Sequence, residues 1–357
     1  MQEAVKIKTA FHGPDSPSIL IIYTGGTFGM AYDNKGRLLH PFDFASILEQ
    51  LPELNRFEME LTFISIDQPT DSSNFNELHW VEMAEIIFNH YNFYDGFVIL
   101  HGTDTMAYSA SALSFLLENL DKPVIFTGAQ LPIGVARTDA RENFITSLEM
   151  ASAHENGKPL IQEVCIYFND TLIRGNRAKK TQSIHFDAFV SENYPILAKA
   201  GVSIEYNKVA FLNSNSTQSV QLVKELNINI ANIKLFPGIN EKSLKAILEI
   251  ENLEVIILET YGSGNAPDAS WLIDLLKTAI DNGIIIYNVS QCMGGKVIQG
   301  KYQTSRQLKA IGVVSGGNIT FEAAIAKSMY VLSVEKERAF RIKMLSTSLR
   351  GEMDSEQ

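Results

Sequence analysis

Residues 18–27 read Ser18-Ile19-Leu20-Ile21-Ile22-Tyr23-Thr24-Gly25-Gly26-Thr27: a short, unbroken apolar run that ends abruptly on a polar turn with two adjacent glycines. A run of this length, rich in isoleucine and bounded by glycine, predicts a strand buried on both faces, the kind that occurs in parallel sheets covered by helices. The same unit recurs outward along the chain. Further strands are expected at Glu60–Ile66, Phe97–His101, Val124–Thr127 and Glu163–Phe168. Helical patterns lie between them, including Met106–Asn119 with Leu113, Leu116, Leu117 and Leu120 on one face. Strand and helix in alternation predict an α/β fold with a doubly wound parallel sheet.

A chain of 357 residues exceeds one ordinary core, so two domains are expected. The boundary is expected where Phe211–Asn232 turns polar and rich in asparagine and serine. This gives an N-terminal α/β domain over 1–208, a linker over 209–230 and a smaller C-terminal α/β domain over 231–357. In the latter, strands are expected at Ile233–Phe236, Val255–Leu258 and Ile284–Val289, and helices near Glu241–Leu248 and Trp271–Ile280.

A formal charge of −11 argues against a nucleic-acid surface, which needs clustered lysine and arginine. The densest basic cluster is Arg174, Arg177, Lys179 and Lys180. Apolar runs such as Ile19–Tyr23 and Ile284–Tyr287 fall far short of the roughly 20 residues that span a bilayer, so no membrane partner is expected. The first residues lack the pattern of a signal peptide, and a cytoplasmic protein is expected. Cys165 and Cys292 should be reduced thiols on different domains; with no Cys/His ligand spacing, no metal and no cofactor are expected.

In an open α/β sheet, ligands bind where strands end. Glycines at such a turn admit positive φ and let backbone N–H groups approach an oxygen, which suits a tight turn, a phosphate site or an oxyanion site. A second strand, Phe97-Val98-Ile99-Leu100, also ends in a polar turn, His101-Gly102-Thr103-Asp104-Thr105, followed at once by a helix. A threonine hydroxyl is a poor nucleophile at neutral pH and needs a group to take its proton and donors for the oxyanion. Asp104 beside Thr103 can order such a proton path, or cap the following helix. The basic cluster after Glu163–Phe168 offers a lysine to accept the proton, or forms a solvated charged turn. Other chemistries lack their parts: no G-x-S-x-G, H-E-x-x-H or P-loop pattern occurs, and Gly25-Gly26-Thr27-Phe28-Gly29 lacks dinucleotide-binding spacing. His101 reads as a packed or hydrogen-bonded residue.

Taken together, Thr24-Gly25-Gly26-Thr27 and His101-Gly102-Thr103-Asp104-Thr105-Met106 resemble the two signatures of bacterial-type L-asparaginases. The match continues through Ala107–Phe115, Asn169-Asp170, Arg174-Gly175-Asn176-Arg177, Tyr261-Gly262-Ser263-Gly264-Asn265-Ala266-Pro267 and Gln291-Cys292-Met293. It spans nearly the whole chain and resembles the cytoplasmic, type I branch. The resemblance implies a flavodoxin-like N-terminal sheet with a smaller C-terminal α/β domain, and hydrolysis of L-asparagine to L-aspartate and ammonia. It implies Thr27 as nucleophile on a mobile loop, with Thr103, Asp104 and Lys180 as the proton-handling group. Asp71, Ser72 and Ser73 would hold the substrate's α-amino and α-carboxylate groups, with Asp104 also pairing with the ammonium. Gly26 to Thr27 and Ala129 would supply oxyanion donors. A homo-oligomer, a dimer of intimate dimers, is implied too, with Asn265 reaching a neighbour's substrate; by itself Asn265 also suits a turn.

Three positions depart from the family pattern. The loop position that usually carries a tyrosine is Arg37, with Tyr32 earlier in the loop. Lys179 precedes Lys180 where threonine is common, and it is expected to point away from the site. Glu259 stands where allosterically regulated members carry an arginine that suits an effector carboxylate, so regulation by a second asparagine is expected to be absent or altered. Two other functions use the same signatures or fold: a glutaminase-asparaginase or ammonia-generating amidotransferase subunit, and a catalytically inactive amino-acid-binding sensor.

Overall fold

The computed structural model describes residues 5–8, 16–32, 39–41, 51–212, 218–300 and 303–355. Its internal contacts divide the chain into two units: Met1–Ser191 with Pro195–Lys224, and Glu192–Tyr194 with Glu225–Gln357.

In the first unit, five parallel strands form the centre of a larger sheet. They are β1 (Ser18–Tyr23), β2 (Glu60–Ser65), β3 (Gly96–Leu100), β4 (Val124–Thr127) and β5 (Val164–Phe168), in spatial order β2-β1-β3-β4-β5. That is the flavodoxin-like order, and its direction reverses between β1 and β3, where a crevice opens at the carboxyl ends. Register fixes those ends level: Tyr23 pairs with Leu100 on one side and with Ser65 on the other. Antiparallel strands extend both edges, Val5–Lys8 beside β2 and Thr171–Arg174, Ala198–Ala200 and Ile204–Tyr206 beyond β5.

Ile19 to Ile22 have no exposed surface, which explains why β1 is apolar at every position rather than at alternate ones. Each such side chain contributes about 1.5–3 kcal/mol by leaving water. Helices α1 (Glu77–His90), α2 (Met106–Leu116) and α3 (Ala140–Ala151) pack within this unit. Almost every residue of α2 is buried, so its alanines and serines are a space requirement. Gly175 lies so close that a Cβ there would sit 2.9 Å from the Ala110 Cβ. The helix stops at Leu116, short of the expected Asn119. Leu117–Glu118 instead pairs antiparallel with Gln221–Leu222, and Asn119 takes φ 60°, a left-handed conformation asparagine tolerates.

The basic cluster is split by structure. Arg174 is buried against Glu163 (Nε to Oε2 2.5 Å), and it also donates to the Ala210 carbonyl. Arg177 is buried as well, while Lys179 and Lys180 form a short strand, β6 (Lys179–Lys180), that pairs with Phe189–Val190.

The second unit holds a four-stranded parallel sheet, β7 (Ile230–Lys234), β8 (Val255–Thr260), β9 (Ile285–Ser290) and β10 (Val314–Ser315), in that order. Its helices are α4 (Glu241–Leu248), α5 (Ser270–Asp281), α6 (Gln303–Ala310), α7 (Phe321–Val334) and α8 (Arg338–Ser346). Leu244, Ile256, Leu258, Leu272, Leu276 and Ile286 form the heart of the core beneath α4 and α5. Strand β7 starts three residues before the expected Ile233, because Ile230 to Lys234 pair in parallel with Val255 to Glu259. An edge strand needs no continuous apolar run, and Asn232 and Lys234 interrupt this one. Glu259, on β8, is nearly buried; it accepts from Asn232 Nδ2 (3.0 Å), and Lys234 Nζ lies 3.5 Å away.

Lys327 on α7 is wholly buried. Its ammonium donates to the carbonyls of Leu345 (3.0 Å) and Thr347 (2.6 Å), lies 2.7 Å from Glu352 Oε1 and touches Met353 Sδ. Glu352, equally buried, also accepts the N–H groups of Leu349 and Arg350. The end of the chain is thus wrapped around one buried charge. Cys165 is buried and Cys292 exposed, both free and on different units. Among the described residues no helix is long and apolar enough to cross a membrane.

Candidate active site

The turn after β1 and the turn after β3 touch backbone to backbone. Thr24 ties them together, its N–H and its Oγ1 each 3.0 Å from the Leu100 carbonyl, and its own carbonyl accepts the Thr70 N–H. Gly25 and Gly26 take φ 111° and 82°, where a side chain is strained. A Cβ on Gly25 would lie 2.1 Å from the Thr70 carbonyl oxygen, and one on Gly26 would lie 2.6 Å from the Gly102 Cα. The glycine pair is therefore required both by conformation and by the closeness of three loops. Thr27, half-buried, follows at once and opens a 3-10 turn, Thr27–Gly29. Met30–Tyr32 then pairs with Leu39–Pro41, which places the Tyr32 backbone in a hairpin; Arg37 lies outside the described residues.

His101 fixes the second turn. Its ring is stacked on Phe75 and edge-on to Phe126, and its Nδ1–H donates to the Gly102 carbonyl at 2.7 Å. Burial pushes this imidazole down to about 4, against the hydrogen bond to Gly102 and with His79 adding to the depression. It is neutral at physiological pH, a packed residue rather than a proton carrier.

Thr103, Asp104 and Lys180 meet directly. Lys180 Nζ donates to Thr103 Oγ1 at 2.8 Å and to Asp104 Oδ1 at 2.6 Å, across 77 and 76 residues of sequence. The Lys180 side chain is mostly buried and that of Asp104 mostly exposed. Such a half-exposed ion pair adds little to stability, so its chemistry is the more telling property. Asp104 does not cap α2. The cap position is Thr105, whose hydroxyl donates to the Ser72 carbonyl at 2.7 Å. Strand alternation sends Lys179 to the side opposite Lys180.

Asp71, Ser72 and Ser73 form the loop after β2, with Ser72 buried against Gly102. The Ser73 N–H donates to Asp71 Oδ1 at 2.8 Å. That bond, then the Ser73 hydroxyl, hold the Asp71 carboxyl below the ordinary range; burial opposes them, and the charge of Lys180 adds the smallest lowering effect. Ala129 is buried in the turn after β4. Asn265 belongs to the second unit, where its backbone closes a tight turn with Tyr261 after β8.

Sequence reasoning missed Gln130, which accepts from the Thr103 hydroxyl at 3.3 Å, and Asp139, whose carboxylate accepts the N–H groups of Gln130 and Leu131. Asp139 stands just before α3 and reads as an ordinary helix cap. Its side chain makes no cap bond and reaches back to the loop instead.

Two strand-end turns thus bring hydroxyls and a carboxylate to the switch point of the sheet, and β6 adds the Lys180 amine, an arrangement able to activate a hydroxyl and hold a small zwitterion. Residues 18–212 match the model of the asparaginase N-terminal domain, and residues 229–344 that of the glutaminase/asparaginase C-terminal domain. The chain is 40% identical to L-asparaginase 1 of Escherichia coli strain K12, over 94% of this chain and 98% of that protein. The crystal structure of L-asparaginase I from Vibrio cholerae superposes with a TM-score of 0.86 at 38% identity, covering 95% of this chain and 99% of that one. At 30% identity the chain also resembles a glutamyl-tRNA(Gln) amidotransferase subunit of Pyrococcus abyssi, over 98% of this chain and 82% of that protein. Fold, site and likeness define an amidohydrolase. Within that class, the chain belongs to the asparaginase family.

Proposed function

We propose that this protein hydrolyses L-asparagine to L-aspartate and ammonia through an acyl-enzyme on Thr27. The observation that carries the reading is Lys180 Nζ hydrogen-bonded to both Thr103 and Asp104 at the strand ends. Thr27 Oγ1 attacks the side-chain amide carbon, and its proton passes to the Thr103–Lys180 pair and on to the departing ammonia. The carbonyl oxygen, negative in the tetrahedral intermediate, takes N–H donors from the Gly26 to Thr27 turn and from Ala129. Water then enters, the same pair takes its proton and returns it to the departing Thr27 Oγ1, and the ester is cleaved to release aspartate. Asp71, Ser72 and Ser73 hold the α-carboxylate and α-amino groups, and Asp104 turns a carboxylate oxygen to the ammonium. Following the family resemblance, the protein works in the cytoplasm as a homotetramer of paired dimers, with Asn265 of one subunit completing its neighbour's site.

Likeness to an amidotransferase subunit makes L-glutamine the substrate to compare. Glutamine carries one more methylene, which displaces its amide from a nucleophile placed for asparagine and is worth about 10–200-fold in kcat/KM. Ammonia release from the two amino acids should favour asparagine within that range. Equal or faster turnover of glutamine would overturn the substrate assignment, and no release from either would leave an amino-acid-binding protein without catalysis.

A further inference from the structure

We infer that Gln130 is a positioning residue: it sets the direction of the Thr103 hydroxyl proton and so governs when Lys180 can receive it. The inference rests on the proposed reaction. Thr103 Oγ1 has one proton to give. It accepts from Lys180 Nζ at 2.8 Å and donates to Gln130 Oε1 at 3.3 Å. The Gln130 amide is not free to turn over, because its Nε2 donates to the His185 carbonyl at 3.0 Å. A flipped amide would set two carbonyl oxygens against each other and an NH2 group against Thr103. Only an acceptor therefore faces the hydroxyl.

The backbone beneath is held equally firmly. Asp139 accepts the N–H of Gln130 at 2.9 and 3.1 Å and that of Leu131 at 3.1 Å. Asn143 Nδ2 in turn donates to Asp139 Oδ2 and to the Gly128 carbonyl, and its Oδ1 accepts the Asn169 N–H. Gln130 thus joins the ends of β4 and β5 to the loop that follows Lys180.

The consequence is a competition for one proton. While Gln130 takes it, the Thr103 oxygen presents a lone pair, not a proton, to Lys180 Nζ. For Lys180 to accept the proton as a neutral amine, the hydroxyl must swing off Gln130. A bond of 3.3 Å is at the long end of the range, so it directs the hydroxyl without trapping it. The other charges facing Lys180 are Asp104, in contact, and Asp71 across the crevice; Asp139 stands behind the Gln130 backbone, Lys179 points away, and Arg137 lies over the Phe186 ring in the loop beyond.

Two variants separate positioning from a general loss of structure. Gln130→Met keeps the bulk and removes the acceptor, so the acid limb of the kcat–pH profile should move to lower pH. Gln130→Glu strengthens the acceptor and adds a negative charge, so the limb should move to higher pH, by about one unit. KM for L-asparagine should stay within about threefold in both, as for a residue that acts through Thr103 rather than on substrate. Equal rate losses at every pH, or limbs moving in the same direction, would overturn the inference. A readout without turnover keeps it distinct from the proposed reaction: the 13Cε signal of Lys180, titrated in a Thr27→Ala background, should shift in the same two opposite directions. Opposite shifts in a protein that releases no ammonia would sink the reaction and uphold the positioning. Ammonia release with an unmoved Lys180 titration would sink the positioning alone.

Discussion

Replacing Thr27 by alanine should lower kcat for L-asparagine by about three to six orders of magnitude, the scale seen when a nucleophile is removed from a triad-like site. Binding of substrate should survive, because the loop that holds the zwitterion, Asp71 to Ser73, is anchored elsewhere: Ser72 packs on Gly102, and its carbonyl takes the Thr105 hydroxyl. Thr27→Ser should retain measurable activity, since it keeps the hydroxyl and loses only the methyl that restricts its rotation. Steady-state ammonia release and calorimetric titration with L-aspartate measure the two quantities separately. Near-wild-type turnover by Thr27→Ala would transfer the nucleophile elsewhere, with Thr103 the next hydroxyl to test. Gly26→Ala is no substitute for this experiment, because the added Cβ collides with Gly102 and disturbs both turns at once.

The largest stability effect should come from the second unit. Lys327→Met leaves the buried Glu352 carboxylate without its cation, and removing one partner of such a pair costs about 3–5 kcal/mol. The double variant Lys327→Met with Glu352→Met should recover much of that loss, which denaturant unfolding of all three proteins would show. Burial works against both charges, drawing the Lys327 ammonium down and the Glu352 carboxyl up. In Glu352 the charge and hydrogen bond of Lys327 and the N–H groups of Leu349 and Arg350 outweigh it, so the carboxyl lies below its ordinary value of 4.5. The acceptors gathered round Nζ require a charged donor, which makes the ion pair the folded state. The carboxylate's share of its contribution is complete above pH 4.5 and is lost as pH falls through the depressed value, and at the alkaline end the pair breaks as pH rises through the lowered Lys327 value. Wild type should therefore lose stability over that acid range, and the double variant should not share that loss.

Much of this was legible in the chain. Ile19 to Tyr23 declared a buried parallel strand because both faces of β1 are covered, and the two signature turns could be read because each is local. The meeting of Lys180 with Thr103 is not local: the two are 77 positions apart, and only the family resemblance singled out Lys180 over Lys179. Gln130 and Asp139 were illegible for a different reason. Each works against its residue type's common habit, a loop amide that orients a hydroxyl and a helix-leading aspartate that caps nothing. Lys327 gave no signal either, since a single lysine in Ala323-Ala324-Ile325-Ala326-Lys327 reads as the solvated position of a helix until the chain end folds over it. Edge strand β7 was placed late because its pairing, not its hydrophobicity, defines it.

The most direct test of Thr27 as nucleophile is acid-quenched mass spectrometry of the protein during turnover of L-asparagine, in wild type and in Lys180→Met, which slows proton transfer. Expected is a gain equal to one aspartyl group, mapped to the peptide that contains Thr27 and absent from Thr27→Ala. An adduct on Thr103, an adduct that persists in Thr27→Ala, or ammonia release with no adduct at any quench time would contradict it.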